Sequence, residues 1–158
     1  MDLAELRDHF SVLDDQDERY RYLIDLGKRL RPMPAELKTP ATKVDGCLSQ
    51  VWLHASTSGS GDSLRLNLLA DSDAVIVRGL IAILLVAYDD RHPDEVARSD
   101  TRNLFDELGF ATPLSMNRRN GFFAMVQRIQ SEARRALDTT AAPSHVSNPA
   151  PDTGGTLP

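Results

Sequence analysis

Apolar residues recur at helical spacing in two segments near the start of the chain. The first stripe predicts a helix over Asp2 to Phe10, with Asp2 as its N-cap. A longer stripe predicts a second helix over Asp14 to Leu30, near whose start Asp15 and Glu18 have the spacing of a capping box. Pro32 and Pro34 follow it, and proline cannot continue the hydrogen-bond ladder of a helix. The chain therefore opens with two amphipathic helices.

The pattern then changes to a period of two residues. Apolar and polar positions alternate from Ser49 to Ser56 and again from Ser63 to Ala70, as in half-buried strands. A Gly/Ser-rich turn separates the two segments. Ala41 to Gly46 is a candidate for a third, short strand. The sequence thus predicts an α/β (α+β) fold, with a small antiparallel three-stranded sheet flanked by helices.

The segment from Ala74 to Tyr88 is apolar nearly all round, which is typical of a helix in the middle of a domain. Asp71-Ser72-Asp73 precedes it and is predicted to cap its N-terminus, because short polar side chains accept hydrogen bonds from free N–H groups. Gly79, within the helix, is expected to allow close approach of the sheet.

A long helix over about Asn117 to Leu137 ends the folded part. Beyond it the chain is rich in Pro, Ala, Ser, Thr and Gly and has no aromatic residue. Such a composition buries too little apolar surface to order itself. We therefore expect one domain over residues 1–138 and a disordered tail over residues 139–158.

The net charge of the chain argues against two classes of binding partner. Eighteen Lys and Arg against 23 Asp and Glu give a net charge of −5, without a large basic cluster. This balance argues against nucleic acid and against an anionic membrane surface as partners. The most apolar run is shorter than a bilayer span, and the N-terminus lacks a signal-peptide pattern. A soluble, cytoplasmic protein is expected.

Cys47 is the only cysteine in the chain, so an intramolecular disulfide and a site needing several thiolates are excluded. It is either a buried structural cysteine or a nucleophile. Gly46 before it and polar residues after it place it in a loop or at a strand edge, where reactive groups are often presented. No histidine or arginine adjoins it in sequence, so its activation would depend on a partner protein.

Two other kinds of site find less support. His54 could pair with the thiol as in a thiol hydrolase, but it lies well inside a predicted strand, where its side chain has no reason to face Cys47. The four histidines are scattered and show no metal-ligand spacing, so no metal site is predicted.

Three sequence blocks resemble the SufE family of cysteine-desulfuration proteins. They are Val44-x-Gly46-Cys47-x-Ser49-x-Val51-Trp52-Leu53, Asp71-Ser72-Asp73-Ala74-x-Ile76-Val77-x-Gly79-Leu80 and Leu114-x-x-x-Arg118-x-x-Gly121. Their order and spacing are similar to the family pattern over about residues 3 to 137. The resemblance implies a fold similar to that of SufE and of IscU-type scaffold proteins.

The resemblance also implies a function. Members of this family take persulfide sulfur from a SufS-like cysteine desulfurase, stimulate that enzyme, and deliver the sulfur to a SufB-containing scaffold for iron–sulfur cluster assembly. By position, Cys47 would accept the sulfur. Gly46, Asp73 and Arg118 would position its loop or contact the partner. No bound cofactor is expected, since pyridoxal phosphate belongs to the desulfurase, and the chain would not be an enzyme by itself.

Two alternatives remain open. The chain could be an interaction protein that activates a desulfurase allosterically, with Cys47 in a structural role. It could also be a CsdE-like carrier on the sister branch of the same fold, which serves another sulfur acceptor.

Overall fold

A computed structural model of the chain describes residues 1–101, 103–110 and 115–141. Two antiparallel strands and six α-helices make up this part of the fold. The strands are β1 (Val51–Ser58) and β2 (Arg65–Ser72). The helices are α1 (Leu3–Ser11), α2 (Gln16–Lys28), α3 (Val75–Tyr88), α4 (Pro93–Arg98), α5 (Leu104–Glu107) and α6 (Met116–Ala141).

The first two helices begin where the sequence places their caps. Asp2 precedes α1, and its carboxylate accepts from the N–H of Glu5 at 2.8 Å. Asp15 precedes α2, and its carboxylate accepts from the N–H of Asp17 at 3.1 Å. Each aspartate satisfies an N–H group that has no partner within its helix.

Among the described residues the sheet has two strands, so the prediction of three strands is wrong in this detail. In the segment 41–46, Lys43 forms only an isolated bridge to Trp52. On its N-terminal side, the N–H of Thr42 turns back to the carbonyl of Thr39. On its other side, Gly46 has a φ of +89°, outside the extended region. Two turns leave too short a piece for a strand.

Strand β2 continues two residues further than predicted, and this overturns the capping prediction for Asp71 and Asp73. Val51 pairs with Ser72 and Trp52 with Asp71, so these positions extend the sheet instead of opening a helix. The N-cap of α3 is Ala74, without a side-chain hydrogen bond of its own. The extension arises because β1 offers pairing partners for both residues.

Helix α3 lies in the core, as its apolar sequence predicts, and packs against α2, β2 and α6. Its glycine meets α2, however, and not the sheet. A β-carbon at Gly79 would lie 2.6 Å from Leu23 Cγ, and one at Gly27 would lie 2.8 Å from the Gly79 nitrogen. The two glycines thus allow α2 and α3 to touch backbone to backbone.

One face of the sheet is buried against the helices and the other is not. Leu53, Leu66, Leu68 and Ala70 point inward and are nearly inaccessible to solvent. The long helix α6 includes residues 139–141, the first three of the predicted disordered tail, and the rest of that tail lies outside the described residues. Within the described residues, no helix is both long and apolar enough to cross a membrane.

Candidate functional site

Cys47 lies in a loop, residues 45–50, which we call the thiol loop. Its base is closed by a hydrogen bond from the N–H of Val44 to the carbonyl of Val51 at 2.9 Å. At the C-terminal end of the loop, Gln50 and Asp73 bond reciprocally. The N–H of Gln50 donates to Asp73 Oδ1 at 3.0 Å, and the N–H of Asp73 donates to the Gln50 carbonyl at 3.3 Å. Asp73 therefore fixes one end of the loop to the start of α3.

Gly46 gives the thiol loop its turn. Its φ of +89° is a conformation that residues with a β-carbon rarely adopt. A β-carbon there would also lie 3.3 Å from Ala124 Cβ on α6. The glycine thus lets the backbone reverse and approach α6 just before the cysteine.

The Cys47 thiol is half-buried against α6. Its Sγ donates a weak hydrogen bond to the carbonyl of Gly121 at 3.6 Å. Burial raises the pKa of the Cys47 thiol above its ordinary value, because it disfavours the thiolate. The carbonyl partner also favours the protonated form, since only the thiol can donate to it. At rest the sulfur is accordingly a poor nucleophile near neutral pH.

An apolar cavity of about 320 Å3 opens beside the sulfur. Its apolar wall joins two helices and consists of Val77 and Leu80 of α3 with Phe122 and Met125 of α6. Polar groups at its rim come from the thiol loop and the start of α6, namely Ser49, Ser115, Asn117 and Arg118. The cavity can shelter an uncharged sulfur group from solvent water.

Three large aliphatic side chains near the site are exposed. Leu48 is 81% exposed and follows the thiol directly. Met116 is 68% exposed between the rim residues of α6, and Val75 is 56% exposed in the first turn of α3. The sequence prediction missed this group. Leu48 and Met116 each interrupt a polar stretch, which is the signal that could have found them.

The structure brings all four predicted site residues to this loop. Arg118 lies in the first turn of α6 with its side chain exposed at the rim of the cavity, and its N–H donates to Ser115 Oγ at 3.3 Å. Gly46, Cys47 and Asp73 lie in or against the thiol loop. His54 is on the outer face of the sheet, paired with Leu69, and does not line the cavity.

Asp71 forms a second polar cluster behind the loop. Its carboxylate contacts Lys38 Nζ at 2.9 Å and Arg78 Nε at 3.3 Å. Burial raises the pKa of Asp71, but hydrogen bonds from Lys38 and the Ser72 N–H, with the charges of Lys38 and Arg78, outweigh it and lower the pKa overall. Lys38 also lies 5.2 Å from the centre of the Trp52 ring. This cluster ties the end of β2 to α3.

Metal-binding side chains do not gather in the part of the chain that the structure describes. There, no three His, Cys, Asp or Glu residues come together in a group that could hold a metal ion. What the described site offers for chemistry is thus a single thiol, a carbonyl acceptor and an apolar shelter.

Comparison with known proteins gives consistent matches. Residues 4–133 match the family described as SufE, a domain associated with Fe-S metabolism. An uncharacterised SufE-like protein of Rhizobium etli is 45% identical over 132 residues, covering 84% of this chain and 89% of the relative. Another, from Rhizobium meliloti, is 42% identical over 135 residues, covering 85% and 96%.

A solved structure shares the fold. The solution structure of a hypothetical protein from Thermus thermophilus matches with a TM-score of 0.65, over 86% of this chain and 96% of that one. At 21% identity this likeness concerns the fold alone.

Proposed function

The chain belongs to the SufE family, and from this premise we propose that it accepts persulfide sulfur on Cys47 and passes it on. Family membership places it in iron–sulfur metabolism and sulfur transfer, and implies association with a cysteine desulfurase. The observation that carries the finer proposal is the position of the thiol. Cys47 Sγ lies at the mouth of an apolar cavity, within hydrogen-bonding reach of Gly121 and next to exposed aliphatic side chains.

The proposed reaction is a displacement at sulfur. The Cys47 thiolate attacks the outer sulfur of a persulfide on the desulfurase, so a bond forms between Sγ and that sulfur. The bond between the outer sulfur and the donor cysteine breaks, and the donor leaves as a thiolate. The outer sulfur keeps its proton, and the proton that Cys47 gave up can return to the donor thiolate, so no external oxidant or reductant is needed. Delivery to an iron–sulfur scaffold containing SufB repeats the same exchange.

Docking of the desulfurase would start this reaction. Leu48, Val75 and Met116 are the apolar groups that a partner surface would cover, and their burial would offset the cost of drawing the thiol away from Gly121. We propose that Arg118 meets an acidic group of the partner. In this account Asp73 holds one end of the thiol loop, while Gly46 supplies its turn.

After transfer, the cavity has a second use. A persulfide is easily reduced or oxidised in solution, and the apolar wall formed by Val77, Leu80, Phe122 and Met125 would shield its outer sulfur until the next acceptor docks.

The deciding experiment is mass spectrometry of the full chain after incubation with L-cysteine and a cysteine desulfurase. We expect the peptide containing Cys47 to gain the mass of one sulfur atom, and the gain to disappear on treatment with a reductant. Cys47→Ser should gain none. An unmodified Cys47 under conditions in which the desulfurase turns over would refute the proposal.

A second function is favoured by one observation. The resting thiol is half-buried, its pKa is raised by burial, and it donates to a carbonyl, as a structural cysteine would. The chain would then activate the desulfurase allosterically without carrying sulfur. Stimulation of the desulfurase by Cys47→Ser, equal to that by the wild-type chain, would support this alternative. Loss of stimulation supports the carrier.

A further inference from the structure

Helix α6 meets the N-terminal part of the thiol loop along a single stripe. Gly121, Ala124 and Arg128 are three and then four residues apart, a spacing that places them on one face of a helix. Gly121 accepts from the Cys47 thiol, and Ala124 faces Gly46. Positions nearer the C-terminus of α6 thus contact positions nearer the N-terminal base of the loop.

Arg128 is the last residue of this stripe and reaches the backbone that precedes the loop. Its Nη1 donates to the carbonyl of Lys43 at 3.2 Å, and its Nη2 donates to the carbonyl of Ala41 at 2.6 Å. Its Nε donates to Glu132 Oε1 at 3.1 Å, and the Arg128 side chain is only 26% exposed. The planar guanidinium therefore binds two backbone carbonyls, while a carboxylate holds it from behind.

The two carbonyls can accept from Arg128 because of the way the segment runs beside β1. The carbonyl of Thr42 accepts from the N–H of Leu53 at 2.8 Å, so it faces the sheet. At the isolated bridge between Lys43 and Trp52, the Lys43 carbonyl therefore faces away from β1, and Ala41 lies in the preceding turn, where its carbonyl also accepts from Arg128. Arg128 supplies hydrogen-bond donors that a neighbouring strand would otherwise supply.

We infer that Arg128 is a positioning residue that fixes the base of the thiol loop on α6. With the base held by Arg128 and by the hydrogen bond between Val44 and Val51, movement of the thiol is confined to the residues between Val44 and Gln50. The sulfur then leaves and returns to Gly121 along a defined path. None of the three sequence blocks that carry the family resemblance includes Arg128. Its role is therefore indicated by the contacts in the tertiary structure and not by the sequence pattern.

The inference deepens the proposed function, because a fixed base also returns a loaded persulfide to its shelter. Only that consequence rests on the proposed function. The contact between Arg128 and the two carbonyls controls shielding of the free thiol as well, and this can be measured without any desulfurase.

The test is the rate of alkylation of Cys47 by iodoacetamide in the purified full chain, measured between about pH 7 and pH 10, a range that spans the titration of an ordinary thiol. We expect Arg128→Ala to alkylate about threefold to tenfold faster than the wild type in the lower half of that range, and its profile to move by up to about one pH unit toward that of free cysteine. Arg128→Lys should lie between the two, because an ammonium group cannot bind both carbonyls in the same planar geometry.

Arg135→Ala is the matched control. Arg135 lies seven residues further along α6 and contacts the same Glu132 at 3.6 Å, yet its side chain is 72% exposed. Its replacement removes an equal charge from the same helix without touching the thiol loop. We expect its alkylation profile to coincide with that of the wild type. Equal profiles for Arg128→Ala and Arg135→Ala would overturn the inference.

A second measurement separates local opening of the loop from general loss of stability. Alkylation is repeated in urea below the unfolding transition. If the loop opens locally, the rate for Arg128→Ala stays nearly constant over this range; if the whole chain must unfold, the rate rises steeply with urea. The second outcome would also overturn the inference. Failure of Cys47 to gain sulfur from a desulfurase would refute the proposed function and leave this result unaffected.

Discussion

Two contacts made through glycine differ in how tightly the chain closes around them. At the crossing of α2 and α3, β-carbons on Gly27 or Gly79 would lie 2.8 Å or less from backbone atoms of the facing helix. At the thiol loop, a β-carbon on Gly121 would lie 3.5 Å from Cys47 Sγ, which is ordinary van der Waals distance. The first contact joins two backbones. The second joins the Gly121 backbone to the Cys47 side chain, which must move away from Gly121 in the proposed transfer.

The difference corresponds to what each contact does. The α2–α3 crossing lies in the core, where close packing leaves no space for an added methyl group. The Cys47 thiol lies beside a cavity and is held on α6 by a weak hydrogen bond. Rigidity in the core and a loose contact at the sulfur allow the loop to move while the elements that carry it stay in place. Four predictions test this comparison.

The largest expected effect is at the crossing. In Gly79→Ala the new methyl group would collide with Leu23 Cγ, at 2.6 Å, and with the Leu23 carbonyl, so α2 and α3 must separate. We expect a loss of about 3 kcal/mol in the free energy of unfolding, after the roughly 1 kcal/mol that alanine gains in a helix. Urea unfolding followed by circular dichroism measures it. A loss below about 1 kcal/mol would mean that the crossing is not tightly packed.

The next effect is at Gly46. Gly46→Ala places a β-carbon at a φ of +89°, which costs about 1–2 kcal/mol, and brings it 3.3 Å from Ala124 Cβ. We expect lower stability together with alkylation of Cys47 that is several-fold faster, because the turn that buries the thiol is strained.

Gly61→Ala is the control for this variant. Gly61 also has a positive φ, at +56°, but a β-carbon there meets nothing within 4 Å. It should lose some stability and leave the alkylation rate unchanged. A change in alkylation equal to that of Gly46→Ala would show that the effect is not specific to the thiol loop.

A smaller effect is expected at Gly121. In Gly121→Ala the methyl group fits at 3.5 Å from the sulfur, and alanine is favoured in a helix by up to about 1 kcal/mol. Stability should be unchanged or slightly raised, and alkylation of Cys47 should be slower because the methyl group covers the sulfur. Asn120→Ala, at an exposed neighbouring position, reports the helix preference alone. A marked loss of stability in Gly121→Ala would contradict the loose contact.

The smallest effect is the pH dependence of stability. Since burial raises the pKa of Cys47 in the folded chain, folding favours the protonated thiol. This contribution is fully present below the pKa of the unfolded chain, about 8.5, and is lost as the pH rises through the higher folded value. The free energy of unfolding of the wild type, measured in urea, should therefore fall more between these two pH values than that of Cys47→Ala. Identical slopes would mean that the thiol is not shielded at rest.

Local patterns in the sequence predicted much of the fold. The caps at Asp2 and Asp15, the period-2 strands and the apolar helix α3 all depend on neighbours within a few residues. Predictions failed where long-range pairing decided the outcome. Asp71 and Ser72 have the composition of a helix cap, but pairing with Trp52 and Val51 draws them into the sheet. Gly79 signalled a close approach, but the sequence could not say that α2 was the partner.

The sequence by itself determined that the chain has one thiol, that a glycine precedes it in a loop or at a strand edge, and that three separated blocks carry the SufE pattern. Residue types and spacing suffice for these statements because they concern composition and short-range geometry. Only the tertiary structure placed Gly121, Ala124 and Arg128 along the thiol loop, and left Leu48, Val75 and Met116 exposed. These contacts join residues tens of positions apart, and packing of α6 against the loop decides which of them meet.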